Sequence, residues 1–99
     1  MTLSDEAEGV LVGESRAGVL ARALGRCAVR ELVLTSPGGE QRVLAPLGTD
    51  LPGVLAEAAP GSLLAAGDGC IAVLIEPNSL RWSTSRDDLA QALQTAQIA

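Results

Sequence analysis

The chain lacks histidine, lysine, phenylalanine and tyrosine, and Trp82 is its single aromatic residue. A serine hydrolase triad needs histidine as its base and a serine–lysine pair needs lysine, so both kinds of catalytic centre are excluded. We therefore expect a protein that is not an enzyme and has no catalytic residue. The scarcity of aromatic rings also removes the stacking surfaces that bases and sugars use.

Positive charge is scarce as well. Seven arginines stand against twelve acidic residues, and the net charge is −5 at pH 7. This balance opposes binding to a phosphate backbone or to an anionic membrane surface. The sequence therefore predicts no nucleic acid and no membrane among the partners.

Long apolar runs are absent, and no stretch reaches the about 18 uninterrupted apolar residues that a spanning helix needs. The first residues, MTLSDEAEG, are acidic, whereas a signal peptide begins with basic residues. The expectation is a cytoplasmic protein. Its two cysteines, Cys27 and Cys70, are too few for a disulfide framework and lie among apolar neighbours, which predicts reduced and buried thiols.

The carboxylates are spread over predicted caps, turns and the N-terminal tail, and no calcium-loop spacing links them. We expect no metal and no cofactor. Asp87 and Asp88 are adjacent, but consecutive helix positions point about 100° apart, so the two do not face each other as an acid–base pair.

What the chain does contain is the composition of a globular domain. Its 99 residues are 47% hydrophobic and 19% charged, and no linker or repeat divides them. This predicts one domain over residues 9–99, preceded by a flexible acidic tail over residues 1–8. The expected fold class is a small α/β (α+β) domain in which helices pack on a central, mostly antiparallel sheet.

The first third of the domain is predicted as a strand followed by a helix. The β-branched residues in GVLV, residues 9–12, favour a strand. Between residues 16 and 27 the apolar residues recur at three- and four-residue steps, which predicts an amphipathic helix. Ser15 is expected to cap that helix.

Two hairpins with a short helix between them are predicted next. Residues 30–48 hold two apolar runs separated by SPGGE, and a proline followed by glycines favours a tight turn. The stretch LPGVLAEAA predicts a helix capped by Thr49 or Asp50. Residues 62–76 place Gly-Asp-Gly between two apolar runs and predict the second hairpin.

The second arm of that hairpin, residues 71–75, is apolar at every position. Apolar residues on both faces are typical of a central strand that is covered on both sides, so we expect this strand in the core. The chain from there to Trp82 and beyond is interpreted as a loop. The apolar spacing over residues 89–96 then predicts a packed C-terminal helix.

The stretch VGESRAG, residues 12–18, resembles the nucleophile elbow of hydrolases, in which the catalytic serine lies between a strand and a helix. The match is incomplete because Ala17 stands where the second glycine belongs. The free N–H groups at a helix start can also bind an anion, here beside Ser15 and Arg16. The simpler alternative is that Ser15 only caps the helix.

With the elements in this order, the chain resembles the roadblock family of dynein light-chain-like domains. The matching stretches are AEGVLVGESRAG, LARALGRCAVRELVLTSPGGEQRVLAPLG and GCIAVLIEPNSLRWSTSRDDLAQAL, and residues 50–66 would be an insertion. The resemblance implies a roadblock/profilin-like fold without catalytic residues. It also implies a homodimer that serves as a binding platform for a small GTPase or a motor-type assembly.

Two stretches, RELVLTSPGGEQRVLA and GSLLAAGDGCIAVLI, are also similar to the C-terminal oligomerisation domain of arginine-repressor-like regulators. In that family a Gly-Asp segment precedes a strand and lines an effector site between subunits. The matching residues are Gly67, Asp68 and Gly69. This second resemblance implies a small effector-binding or oligomerisation domain of a regulator.

The chain carries more apolar side chains than 99 residues can easily cover, including both faces of residues 71–75. We therefore expect a homo-oligomer, most simply a dimer, that binds another protein. Leu20 and Leu24 on the first helix and Trp82 are the candidate interface residues. The alternative place for Trp82 is the edge of the monomer core.

Overall fold

The computed structural model describes residues 7–45 and 50–98. Within these residues the chain forms six strands and three helices. The strands are β1 (Ala7–Val12), β2 (Leu32–Thr35), β3 (Gln41–Leu44), β4 (Leu63–Ala66), β5 (Ile71–Glu76) and β6 (Ser79–Thr84). The helices are α1 (Arg16–Arg26), α2 (Leu51–Glu57) and α3 (Asp87–Ile98).

All the described strands form one antiparallel sheet in the order β1-β6-β5-β4-β2-β3. Strands β4, β5 and β6 follow each other as a meander, β1 pairs with β6 at one edge, and the β2–β3 hairpin forms the other edge. The predicted fold class, a small α+β domain with helices packed on an antiparallel sheet, is confirmed.

Both predicted hairpins are confirmed, and their turns use the residues that the sequence offers. In the first turn the Ser36 N–H donates to the Glu40 carbonyl at 2.8 Å, and Gly39 has a φ of +92°. In the second turn the Asp68 carboxylate accepts from the Cys70 N–H at 3.0 Å. A positive φ is costly for a residue with a Cβ, which is why glycine stands at the tightest point.

Strand β6 was not predicted; its residues were interpreted as a loop. It pairs with β1 on one side and with β5 on the other, and a two-residue turn at 77–78 connects it to β5. Its buried residues Leu80, Trp82 and Thr84 alternate with polar ones, so the period of two was present in the sequence. The serines and the arginine between them lower the mean hydropathy of the segment, and for this reason it was not recognised as a strand.

The first strand begins slightly earlier than expected. The strand predicted over residues 9–12 is confirmed, and it begins at Ala7, so Ala7 and Glu8 belong to β1 rather than to a tail. Residues 1–6 of the predicted tail 1–8 lie outside the described residues.

Helix α2 is confirmed, with Asp50 as its N-cap. The Asp50 carboxylate accepts from the Gly53 N–H at 3.4 Å, and a Cβ at position 53 would collide with that carboxylate. The alternative cap, Thr49, lies outside the described residues. Residues 50–66 thus supply α2 and the interior strand β4, so this segment builds part of the sheet.

One hydrophobic core lies between the helices and the sheet face that they cover. Its largest side chain is Trp82 on β6, which is fully buried and lies opposite Gly9 in the register of β1. Gly9 adds no side chain of its own beside the indole ring. Helix residues complete this core, and they are Leu20, Ala23, Leu24, Leu51, Leu55, Leu89 and Leu93.

Helix α1 ends in a Schellman arrangement built on an unusual residue. The Val29 N–H donates to the Leu24 carbonyl at 3.1 Å and the Ala28 N–H to the Gly25 carbonyl at 3.3 Å, while Ala28 has a φ of +57°. Glycine normally occupies this left-handed position because a Cβ there is strained. The buried Val29 holds the turn in place by packing into the core.

Arg86 joins the end of α1 to the start of α3. Its Nη2 donates to the Cys27 carbonyl at 2.6 Å, at the C-terminus of α1, and also to the Asp88 carboxylate in the first turn of α3. This ion pair holds the pKa of Asp88 below its usual range and raises that of Arg86. A cation at one helix C-terminus and an anion at the next N-terminus both suit the helix dipoles.

We predict that Ala28→Gly stabilises the protein by about 0.5–1 kcal/mol, because glycine removes the left-handed strain but adds freedom to the unfolded chain. The measurement is urea unfolding followed by circular dichroism. The matched control is Ala21→Gly in the interior of α1, which should destabilise by about 1 kcal/mol. Equal losses in both variants would contradict the strain at Ala28.

We predict that Arg86→Met destabilises the protein by about 2 kcal/mol, because a charge-assisted hydrogen bond to the Cys27 carbonyl is lost while the aliphatic stem is kept. The control is Arg22→Met, an exposed arginine of α1, which should change the free energy of unfolding by less than about 0.5 kcal/mol. Similar free energies of unfolding for the two variants would show that Arg86 does not link the helices.

Candidate functional site

The helices of the described chain cover one face of the sheet and leave the other without a helix. Side chains alternate along a strand, and directly opposed residues in antiparallel strands point to the same side, so the register assigns each residue to a face. Leu11, Val73 and Trp82 point into the core. We call the opposite side of the sheet the open face.

All large hydrophobic residues that are exposed in the described chain belong to the open face, and they are Val10, Val12, Val43, Leu63 and Leu74. Leu63 is 42% exposed and Leu74 is 37% exposed, although both lie on interior strands. Apolar residues concentrated on one surface in this way mark an interaction site.

The sequence-based expectation for residues 71–75 is half right. Strand β5 is central, and its core side is buried at Ile71, Val73 and Ile75. Cover on the second side is absent in the described chain, where Leu74 is exposed and Ala72 is half-buried. The reason is that α1, α2 and α3 all pack on the same side of the sheet.

Long side chains form one row across the middle of the open face. Leu63 on β4 lies opposite Leu74 on β5, and Leu74 lies opposite Arg81 on β6. We call this row of three side chains the ridge.

Short side chains form the next row, two residues further along each strand. Ala65 lies opposite Ala72, and Ala72 lies opposite Ser83. We call these three residues the groove. It continues onto β1 at Glu8, the partner of Ser83 in the register, and a hollow of about 300 Å³ lies between Glu8 and the ridge.

Few charges lie on the open face, and they are close together at the β1 and β6 side. The Arg81 Nε lies 3.5 Å from the Glu76 carboxylate, which also accepts from the Ser79 hydroxyl at 3.0 Å. The Arg81 side chain is 63% exposed. An ion pair this exposed contributes little to folding stability, so Arg81 is free to serve a second carboxylate at little cost.

A separate cleft of about 370 Å³ lies between the start of α1, α2 and the β5–β6 turn. The predicted anion site falls at its rim. The Arg16 guanidinium donates to the Gly13 carbonyl at 2.9 Å and to the Pro77 carbonyl at 3.5 Å, and Glu14 and Glu76 line the same cleft. Two carboxylates beside an occupied guanidinium do not favour an anion.

Ser15 occupies the N-cap position of α1, as expected, but its hydroxyl makes no capping hydrogen bond. Its backbone conformation, with φ −88° and ψ 3°, departs from the extended one in which a serine side chain caps a helix. The capping role predicted for the Ser15 side chain is therefore wrong, and Arg16 instead ties the preceding turn to the β5–β6 turn.

The three residues chosen as interface candidates are core residues in this fold. Leu20, Leu24 and Trp82 are each 0% exposed. Leu20 and Leu24 face the sheet because the apolar stripe of α1 is the side by which that helix packs. The Trp82 Nε1 has no hydrogen-bond partner among the described residues. The expectation that they contact a partner is corrected, since none of them reaches the surface.

Sequence reasoning found the apolar surplus, including both faces of residues 71–75, but chose the interface residues on α1 and at Trp82. Leu63, Leu74 and Val43 carry it, and the repeated apolar residues of the two hairpins were the available signal. The apolar residues on one side of a helix and those on one face of a strand have the same hydrophobicity, so the sequence does not tell which of the two sets is exposed. Which of them the monomer covers depends on where the helices dock.

The cysteines lie at the end of the sheet near Arg86, and both are free thiols. Cys27 is buried as predicted, whereas Cys70 is half-buried, so the prediction of burial is wrong for Cys70. Burial raises the pKa of both thiols, and the nearby carboxylates of Asp88 and Asp68 add to this. A raised thiol pKa lowers the thiolate fraction at neutral pH and makes both residues poor nucleophiles.

The Gly67-Asp68-Gly69 segment forms the β4–β5 turn and is exposed. The hydrogen bonds that Asp68 accepts from Cys70 lower the pKa of its carboxyl group. A metal site needs several ligands together, and in residues 7–45 and 50–98 no three acidic, cysteine or histidine side chains are placed to share an ion. None of the helices in those ranges has the length and apolar composition to cross a bilayer.

We predict that a maleimide labels Cys70 faster than Cys27 in the native protein at pH 7, and that both react more slowly than in the unfolded chain. Because both pKa values are raised, the labelling rates should keep increasing above about pH 8.5, where an ordinary thiol is half ionised. Mass spectrometry of the Cys27→Ala and Cys70→Ala chains assigns each rate. Native rates equal to the unfolded ones would contradict this placement.

No protein-family model, no curated protein and no solved structure matches this chain. The roadblock-family and arginine-repressor-like resemblances therefore stay predictions, and the open face is the feature on which a function can be argued.

Proposed function

We propose that this chain is a non-enzymatic binding domain that forms a homodimer through the open face and acts as a binding platform. The observation that supports it is the gathering of all large exposed apolar side chains of the described residues on one face of the sheet. A second copy of the chain offers the same apolar surface, so each copy covers the other.

The size of the open face sets the scale of such a contact. Six strands about 4.8 Å apart span about 25 Å, and strands of four to six residues are about 10–17 Å long at about 3.4 Å per residue. The contact therefore belongs to the small class of interfaces, below the about 800 Å² per subunit that a standard interface buries. A sheet-to-sheet dimer then resembles the two layers of a β-sandwich.

The distribution of charge also supports a second copy as the occupant. The chain has a net charge of −5, so two copies repel each other over most of their surface. The strands of the open face carry Glu8, Glu76 and Arg81, a small share of the charged residues. Self-repulsion across the open face is therefore weak.

In such a dimer the helices of both copies lie on the outside, and each copy presents the cleft beside Arg16 to a further protein. The roadblock resemblance makes a small GTPase or a motor-type assembly the class of partner to test first. The cytoplasmic location expected from the composition stays a prediction. The rival regulator function would need residues 67–69 at the subunit contact, and that turn lies at the end of the strands instead.

We predict that Leu74→Glu weakens the dimer by at least about 100-fold, because it buries one more carboxylate of each copy in the apolar contact. Sedimentation equilibrium measures the dissociation constant, and circular dichroism checks that the variant is folded. Position 74 is 37% exposed in the single chain, so the fold should tolerate glutamate there.

The matched control is Gln91→Glu, which adds the same charge at an exposed site of α3 on the covered side of the sheet. It should leave the dissociation constant within about threefold of the original, since about 0.6 kcal/mol is the usual limit for a remote surface change. A mass near 10.0 kDa for the unchanged chain at tens of micromolar, the mass of one copy, would reject the homodimer.

A further inference from the structure

This inference rests on the proposed homodimer and concerns how its two copies are arranged. We propose that the ridge of each copy packs into the groove of the other, about a two-fold axis that runs across the strands. In this arrangement Arg81 of each copy forms an ion pair with the partner's Glu8.

The relief of the open face selects this axis from the two that align the sheets. A two-fold axis along the strands would place the ridge against the partner's ridge and the groove against the partner's groove. Leu63 and Leu74 would then face the same two leucines of the partner. A two-fold axis across the strands, midway between the two rows, places the ridge of each copy against the groove of the other. It sets the long side chains of the ridge over the short ones of the groove, and it does so twice by symmetry.

The resulting contacts follow from the register. Leu63 lies over the partner's Ala65, and Leu74 lies over the partner's Ala72. The two rows are about 6.8 Å apart along the strands, and packed sheets lie about 10 Å apart with interdigitating side chains. Leucine facing alanine across that distance fills the layer, whereas leucine facing leucine holds the sheets apart and alanine facing alanine leaves a gap.

The same operation brings opposite charges together. Arg81 is the third residue of the ridge, so it lies over the partner's Ser83. Glu8 is the register partner of Ser83 on the adjacent strand β1, about 4.8 Å to the side, which is within the reach of an arginine side chain. Arg81 is 63% exposed and held only by the exposed pair with Glu76, so it can turn toward the second carboxylate.

Charge reversal in two separate chains tests this pairing. Arg81→Glu alone and Glu8→Arg alone each place like charges across the contact, twice in the dimer, and should weaken self-association by at least about 10-fold. A mixture of the two variants should form a heterodimer, because each of its two contacts then joins one positive and one negative side chain. Its dissociation constant should return to within about threefold of the original.

Native mass spectrometry separates the heterodimer from the two homodimers by mass. The matched control mixes Arg81→Glu with Glu40→Arg, a variant with the same charge change in the exposed β2–β3 turn, away from the open face. In that mixture one of the two contacts keeps its like charges and the other is the original pair, so the heterodimer should regain only about half of the lost association free energy. Thermal unfolding of each variant confirms that the single chains are folded.

Full recovery in the Arg81→Glu and Glu8→Arg mixture, with partial recovery in the control, supports the arrangement. If the unchanged protein is a dimer that Leu74→Glu dissociates, but this mixture stays monomeric, the arrangement is rejected and the homodimer stands. Equal recovery with Glu40→Arg also rejects it, because the effect then comes from net charge alone. A monomeric unchanged protein rejects the proposed homodimer itself.

Discussion

The covering of a sheet on one face only is the constraint on which the rest of this structure depends. An antiparallel sheet exposes two surfaces, and the helices of the described chain cover one of them. The covered side can hold a side chain as large as Trp82, opposite Gly9, and bury it completely. The other side keeps Leu63 and Leu74 in contact with water although both lie on interior strands. Burial of apolar area is the main favourable term in folding and in association, so an uncovered apolar face of this size favours a partner.

The covered side is held together by a few local arrangements at the strand and helix ends. Arg86 satisfies the carbonyl at the end of α1 and the carboxylate of Asp88 at the start of α3, so two helices far apart in sequence are fixed to one point. The neighbouring Ala28 accepts a left-handed backbone because the buried Val29 anchors the chain just beyond it. Strain of this kind persists only where the surrounding packing determines the conformation. These contacts orient the helices on one side, and thereby leave the open face free.

The homodimer that we propose is based on the properties of the open face. Its rows of long and short side chains are neighbours, its charges are few, and the exposed Arg81 and Glu8 lie where a two-fold operation brings them together. The cleft beside Arg16 lies at the end of the sheet, between helices and the β5–β6 turn. In the proposed dimer, self-association uses the open face and a third protein would use this cleft.

The sequence by itself determined the local structure. The turn residues at SPGGE and Gly-Asp-Gly, the three- and four-residue spacing over residues 16–27 and the cap at Asp50 placed both hairpins and the helices. These signals act within a few residues, so they can be read without the fold. Only the tertiary structure decided that the serine-rich segment 79–84 pairs as β6 between β1 and β5, because pairing depends on residues distant in sequence. It also decided that Leu20 and Leu24 of α1 are buried in the core while Leu63 and Leu74 are exposed. The identity of an apolar residue does not tell which neighbour will cover it.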